Sequence, residues 1–268
     1  MSDAGGAPGP APHHGGGPGS AGTGSGAADS GGVPWAGRTL VPSPFAGDDG
    51  SADPRVLAAL AARDATGPAA VVAALAGTRV FVPVVAVSAG EEPSPLTGLA
   101  TDAGADMAVV TLTAPDGRRA LPVFTSTAAL SAWDAAARPV PSEVERAALS
   151  AVDEGCALLL LDPGSPRPLV VPRPAVEALA QQRRWTPSWD REDVAGAVRA
   201  AVAAEPAVAG AAVERGRRAE TAVVLALVPG LDRPALDALL ERVQTRLAAS
   251  AVVAEGVDSL ELRLRTAG

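Results

Sequence analysis

Three hydroxyl residues in a row, Thr125-Ser126-Thr127, follow a short apolar run at 119–124 and precede a segment in which Leu130 and Trp133 recur at helical spacing. Hydroxyls at a helix N-terminus stand beside unpaired backbone N–H groups and the positive end of the helix dipole, which suits a carboxylate or a phosphate. The same residues also make an ordinary start to a helix, with Ser126 as N-cap and Leu130 and Trp133 in the core, and that reading needs no ligand. Thr125, Ser126 and Thr127 are the candidate ligand-binding residues, and no residue is assigned a catalytic role.

The other reactive side chains are sparse. Both histidines, His13 and His14, lie in a Gly- and Pro-rich stretch, so no Ser-His-Asp or Cys-His constellation and no histidine zinc site is expected in the folded part. Cys156 is the single cysteine, set at the start of the run Leu158-Leu159-Leu160, where a thiol behaves as a small hydrophobe. All 22 basic residues are arginine, and tyrosine is absent. A Schiff-base lysine, a phosphate-loop lysine and a phenolic acid are thereby excluded. Adjacent carboxylates at Asp48-Asp49, Glu91-Glu92, Asp153-Glu154 and Glu192-Asp193 fall in loops or at helix ends, where solvated charge is the plain reading. Arginine doublets at Arg118-Arg119, Arg183-Arg184 and Arg217-Arg218 fall in turns or at a helix end. No cofactor and no metal are expected.

These residues need elements to hold them. Residues 1–37 are mostly Gly, Pro, Ala and Ser, cannot offset their ordering entropy by burial, and are expected to be a disordered tail. Asp53-Pro54 reads as N-cap and first helical residue. Pro83 suggests that the β-rich run at 79–87 is an edge strand or carries a bulge. Runs at 106–113 and 119–124 flank Asp116-Gly117, a hairpin signal. Ser142-Glu143-Val144-Glu145 reads as a capping box opening the next helix. Two strands and a helix, at 156–183, close a first domain at 38–184.

A linker is expected from Arg184 to Trp189, around Thr186-Pro187-Ser188, with a second domain at 185–268 in the order αββαβ. Asp190 and Asp232 are its expected helix caps, and its last strand alternates Leu260, Leu262 and Leu264 with charge. The fold class is α+β: two small mixed-sheet domains with helices packed on them, preceded by the tail.

The net charge is −8 and no segment is basic, so nucleic acid is excluded as a partner. No run approaches the roughly 20 apolar residues of a membrane span, and the start lacks a basic and an apolar leader region. A cytoplasmic location is expected.

The segment from Asp116-Gly117 through Leu121-Pro122-Val123-Phe124-Thr125-Ser126, with Leu130 and Trp133, resembles the N-terminal domain of the SseB family, named for enhanced serine sensitivity. Phe45 to Ser51 is similar to the actinobacterial branch of that family. Arg79 to Val84, Gly155 to Pro163 and the αββαβ ending extend the resemblance to the family's two domains. It implies no reaction, cofactor or catalytic residue. The expected function is a non-catalytic binding or regulatory protein, with a protein partner and room for a small anionic ligand. The alternatives are a secretion-linked adaptor or chaperone, or a hydrolase or transferase using carboxylates or Ser126.

Overall fold

The computed structural model describes residues 44–86 and 107–267. The expected tail, with His13 and His14, and the pair Glu91-Glu92 lie outside the described residues. The chain divides into a short unit, Met1–Ala46, of which residues 44–46 are described and enter a turn, and a compact unit, Gly47–Gly268. The architecture of the latter is α+β, with helices packed on mixed sheets.

Helix α1 (Pro54–Thr66) starts as its sequence dictates: the Asp53 carboxylate accepts from the Arg55 N–H, and proline fills the first position. Helix α2 (Pro68–Leu75) follows directly. Strand β1 (Arg79–Ala86) then pairs antiparallel with β2 (Met107–Val109) on one side and β5 (Arg138–Glu143) on the other. Pro83 is therefore in a central strand, against expectation. The register explains its tolerance: Pro83 faces Pro139 across the β5 side and turns its carbonyl to the other side, where the Val110 N–H donates to it.

The apolar run at 106–113 does not form one hairpin arm. It splits, and its second half, β3 (Leu112–Thr113), turns through Asp116-Gly117 (Gly117 φ +84°) into β4 (Arg119–Val123). A second sheet runs β3-β4-β6-β7, with β6 (Leu158–Leu161) parallel to β4 and β7 (Leu169–Val171) antiparallel at the edge. Phe81 and Phe124 exchange backbone hydrogen bonds and so join the two sheets. Helices α4 (Val144–Asp153) and α5 (Arg173–Ala180) cover this sheet, burying Ala147, Ala151, Val176 and Leu179 against Leu121, Val123, Leu159 and Leu161.

The capping box at Ser142 does not form. Ser142 lies in β5, a strand that sequence reading missed because Pro139 and Pro141 disguise it, and Glu145 instead accepts the Gly77 N–H at the end of α2. Asp190 is likewise no helix cap. It ends a short 3-10 turn, Ser188–Asp190, before helix α6 (Glu192–Val202).

The last third carries β8 (Val208–Arg215), β9 (Thr221–Leu227) and β10 (Leu260–Thr266) in the order β10-β9-β8, with β9–β10 parallel. Helix α7 (Arg233–Ala248), capped by Asp232, and α8 (Ala251–Gly256), which sequence reading missed, make the crossover. Val194, Val198, Leu239, Val243 and Leu247 pack on Val223 and Leu225, which puts α6 and α7 on one face. The two largest cores, Val56 to Trp185 and Val194 to Val257, share no residue.

Candidate functional site

The three hydroxyl residues do stand together at the end of β4, and each is engaged within the fold. Ser126 is the N-cap of the short helix α3 (Thr127–Trp133), its Oγ accepting from the Ala129 N–H at 3.0 Å. Thr125 is buried, and both its N–H and its hydroxyl donate to the Asp162 carboxylate, at 2.8 and 2.9 Å. Thr127 donates its N–H, and at 3.4 Å its hydroxyl, to the Gly50 carbonyl. Gly50 has φ +79°, and a Cβ there would lie 2.6 Å from Thr127 Oγ1, so the loop fits against α3 only with glycine.

Asp162 follows the run Leu158–Leu161 and adopts φ +48°, a left-handed conformation that aspartate enters more readily than most residues. Burial raises its pKa, and the two Thr125 donors pull it back. Arg79 completes this latch: its guanidinium grips Asp48, donates to the Ser51 and Thr125 carbonyls, and lies 4.1 Å from the Phe81 ring centroid. Asp48 is thus a bound partner rather than free surface charge, with its pKa lowered chiefly by the Arg79 hydrogen bonds. The latch ties loop, strand and helix together.

A second polar cluster ties Arg118 and Arg173 to residues of the last third of the chain. The Asp258 carboxylate, 5% exposed, accepts both contacts of Arg118 Nη1 at 2.8 Å and the Arg173 N–H at 3.0 Å. Glu220 accepts from the Asp258 N–H and from Ser188 Oγ, and Ser188 Oγ also meets Thr221 Oγ1. Burial raises the Glu220 pKa, the Asp258 N–H and Ser188 lower it, and the Asp258 charge raises it again. Arg173 reaches over to the Ala254 and Val257 carbonyls at the end of α8. These partners lie 32 to 140 residues apart, so no local motif announced them.

Trp185 stands at the centre of this region. It is 8% exposed, packs in the first core, and lines three adjoining clefts of about 590, 400 and 330 Å³. Helix α5 ends in a left-handed residue, Gln182 (φ +53°), whose N–H and that of Arg183 close back on the Leu179 and Ala178 carbonyls. Glycine is the usual residue at such a turn, and a side chain there costs about 1–2 kcal/mol. The turn sends Trp185 inward and leaves Arg183 and Arg184 exposed on the cleft walls. Neither guanidinium meets an acceptor among the described residues. The other doublets differ: Arg118 and Arg119 are both bonded, and at Arg217-Arg218 the backbone N–H groups hold Glu261.

The comparison with known families bears on most of the latch, whose loop residues Asp48, Gly50 and Ser51 precede the matched segment. Residues 54–178 match the model of the SseB protein N-terminal domain. The SseB match runs from α1 nearly to the end of α5, taking in Thr125–Thr127, Asp162, Arg118 and Arg173. It stops short of Arg183, Arg184 and Trp185, and of the whole last third. No curated protein and no solved structure matches the chain. Among the described residues, no helix is long and apolar enough to cross a membrane, and no group of three or more His, Cys, Asp or Glu side chains is placed to hold a metal ion.

Proposed function

We propose that this chain is a non-catalytic binding or regulatory protein of the SseB type, with a protein partner and a role in serine sensitivity as the resemblance implies. The observation that carries the reading is the state of the hydroxyl–carboxylate pairs. Thr125 with Asp162 and Ser188 with Glu220 have the composition of nucleophile and base, yet Thr125 and Ser188 are 6% and 0% exposed and their bonds close the fold. A nucleophile must reach its substrate, and these do not face one. Residues 38–184 and 185–268 are read as the N- and C-terminal SseB domains of the actinobacterial type, acting in the cytoplasm without nucleic acid or membrane. The two separate large cores support a division in this region, with Trp185 packed on the first core's side of it.

Affinity capture with the full chain from native cells, followed by rebinding of each captured protein in purified form, tests the reading. A partner that rebinds saturably supports it. Turnover of a metabolite by the purified chain, abolished in Ser188→Ala or Thr125→Val, overturns it.

A further inference from the structure

We infer that the clefts flanking Trp185 form one binding site for a small organic anion, an apolar body carrying a single carboxylate or phosphate. The inference rests on the reading of the chain as a binding protein and adds to it a site and a ligand class. It begins from charge. In the 590 Å³ cleft the acidic residues are largely neutralised: Glu177 pairs with Arg173, Asp193 with Arg191 and Glu192 with Arg199. What remains unpaired in its lining is Arg183 and Arg184 against the single carboxylate of Glu255. In a chain of net charge −8, this is a local positive site.

The second observation is independent of charge. Among the described residues, Trp185 Nε1 is the single buried side-chain nitrogen or oxygen without a hydrogen-bond partner. A buried N–H without an acceptor is costly, and such donors are nearly always satisfied. On the walls of these adjoining clefts the two guanidinium forks are donors without acceptors, and Trp185, which lines both, holds a further unsatisfied donor closed off from solvent. The group that matches them is an acceptor-only anion, and paired arginines suit the planar carboxylate or the phosphate.

The 330 Å³ cleft supplies the rest of the ligand's outline. It shares Arg183, Arg184 and Trp185 with its neighbour and is otherwise walled by Val72, Ala73, Ala76 and Leu179, with Gln182 and with Glu145, whose carboxylate accepts from the Gly77 N–H. Its volume lies within the range of small-molecule sites, which pair an apolar lining with a few polar anchors. Glu255 in one cleft and Glu145 in the other would repel a second negative group, so the ligand carries one anionic head.

Phenyl phosphate and phenylacetate are the probes, titrated against the full chain while the indole N–H signal of Trp185 is followed by NMR, with inorganic phosphate and benzyl alcohol as controls. We expect saturable binding of at least one aryl anion, at least tenfold tighter than either control, and the stronger of the two distinguishes phosphate from carboxylate. Arg183→Gln with Arg184→Gln is expected to weaken binding at least tenfold with the melting temperature unchanged, since both side chains are exposed. Trp185→Phe assigns the signal and is expected to weaken binding severalfold while the circular dichroism stays native. No saturable binding of either aryl anion at 10 mM or so, equal binding of benzyl alcohol, or binding indifferent to the double variant would each overturn the site. A captured protein partner that persists in any of those cases leaves the binding reading standing and removes only the anion site.

Discussion

Ser126 shows how a candidate ligand residue and a structural one are separated by a single hydrogen bond. Its Oγ accepts from the Ala129 N–H, the geometry of an N-cap. Ser126→Ala is expected to lower stability by about 1 kcal/mol, read by chemical denaturation, because one backbone donor loses its acceptor. Binding of an anion that survives in the folded variant agrees with the cap; its complete loss at unchanged stability contradicts it. The caps at Asp53, Ser126 and Asp232 were legible in the sequence because an N-cap acts over two or three residues. Asp162, Glu145 and Asp258 were not, since each takes a partner from another element. Trp185 was read as part of a linker because its burial depends on a left-handed turn at Gln182, a residue type that gives no such signal.

At the scale of elements, the β8–β9 turn, the α8–β10 loop and the Ser188 turn meet around one half-buried carboxylate, Glu220. The groups facing it are Ser188, the Asp258 N–H and carboxylate, and, further off, Arg191. Burial raises its pKa above the ordinary 4.5. Just above that pH the folded protein keeps a proton that the unfolded chain releases, so stability falls as pH rises through the window. Glu220→Gln removes this dependence. The variant is expected to gain melting temperature relative to the wild type as pH goes from 4.5 to 7. A difference that stays constant, or reverses, contradicts the assignment. Glu205 acts in the opposite sense: Arg242 and Arg246 hold it down to about 2, so its contribution is complete above 4.5 and lost only in strong acid. The elements themselves were mostly legible from apolar spacing. Strand β5 and helix α8 were not, one hidden by prolines and the other too short to show a period.

For the molecule as a whole, the question is whether the two large cores melt together. Asp258 is held by Arg118 and the Arg173 N–H, both from the first core's side, while belonging itself to the last third. Arg118→Ala leaves that 5% exposed carboxylate with one partner fewer, a weakening of about 2 kcal/mol after allowance for the partly exposed arginine. Two modules docked at this point should then give two endotherms by calorimetry in place of one. A single endotherm moved to lower temperature would show one cooperative unit and remove the proposed division.

Cys156 is 3% exposed at the entrance to β6, in the core that α4 and α5 cover, and burial raises its pKa. It is the chain's only thiol. A reagent in solution can therefore reach sulfur only during the moments when that core parts, and the pace of its reaction counts those openings. The protein carries its own clock for the breathing of its first sheet, with no label to add and no second thiol to confuse the reading.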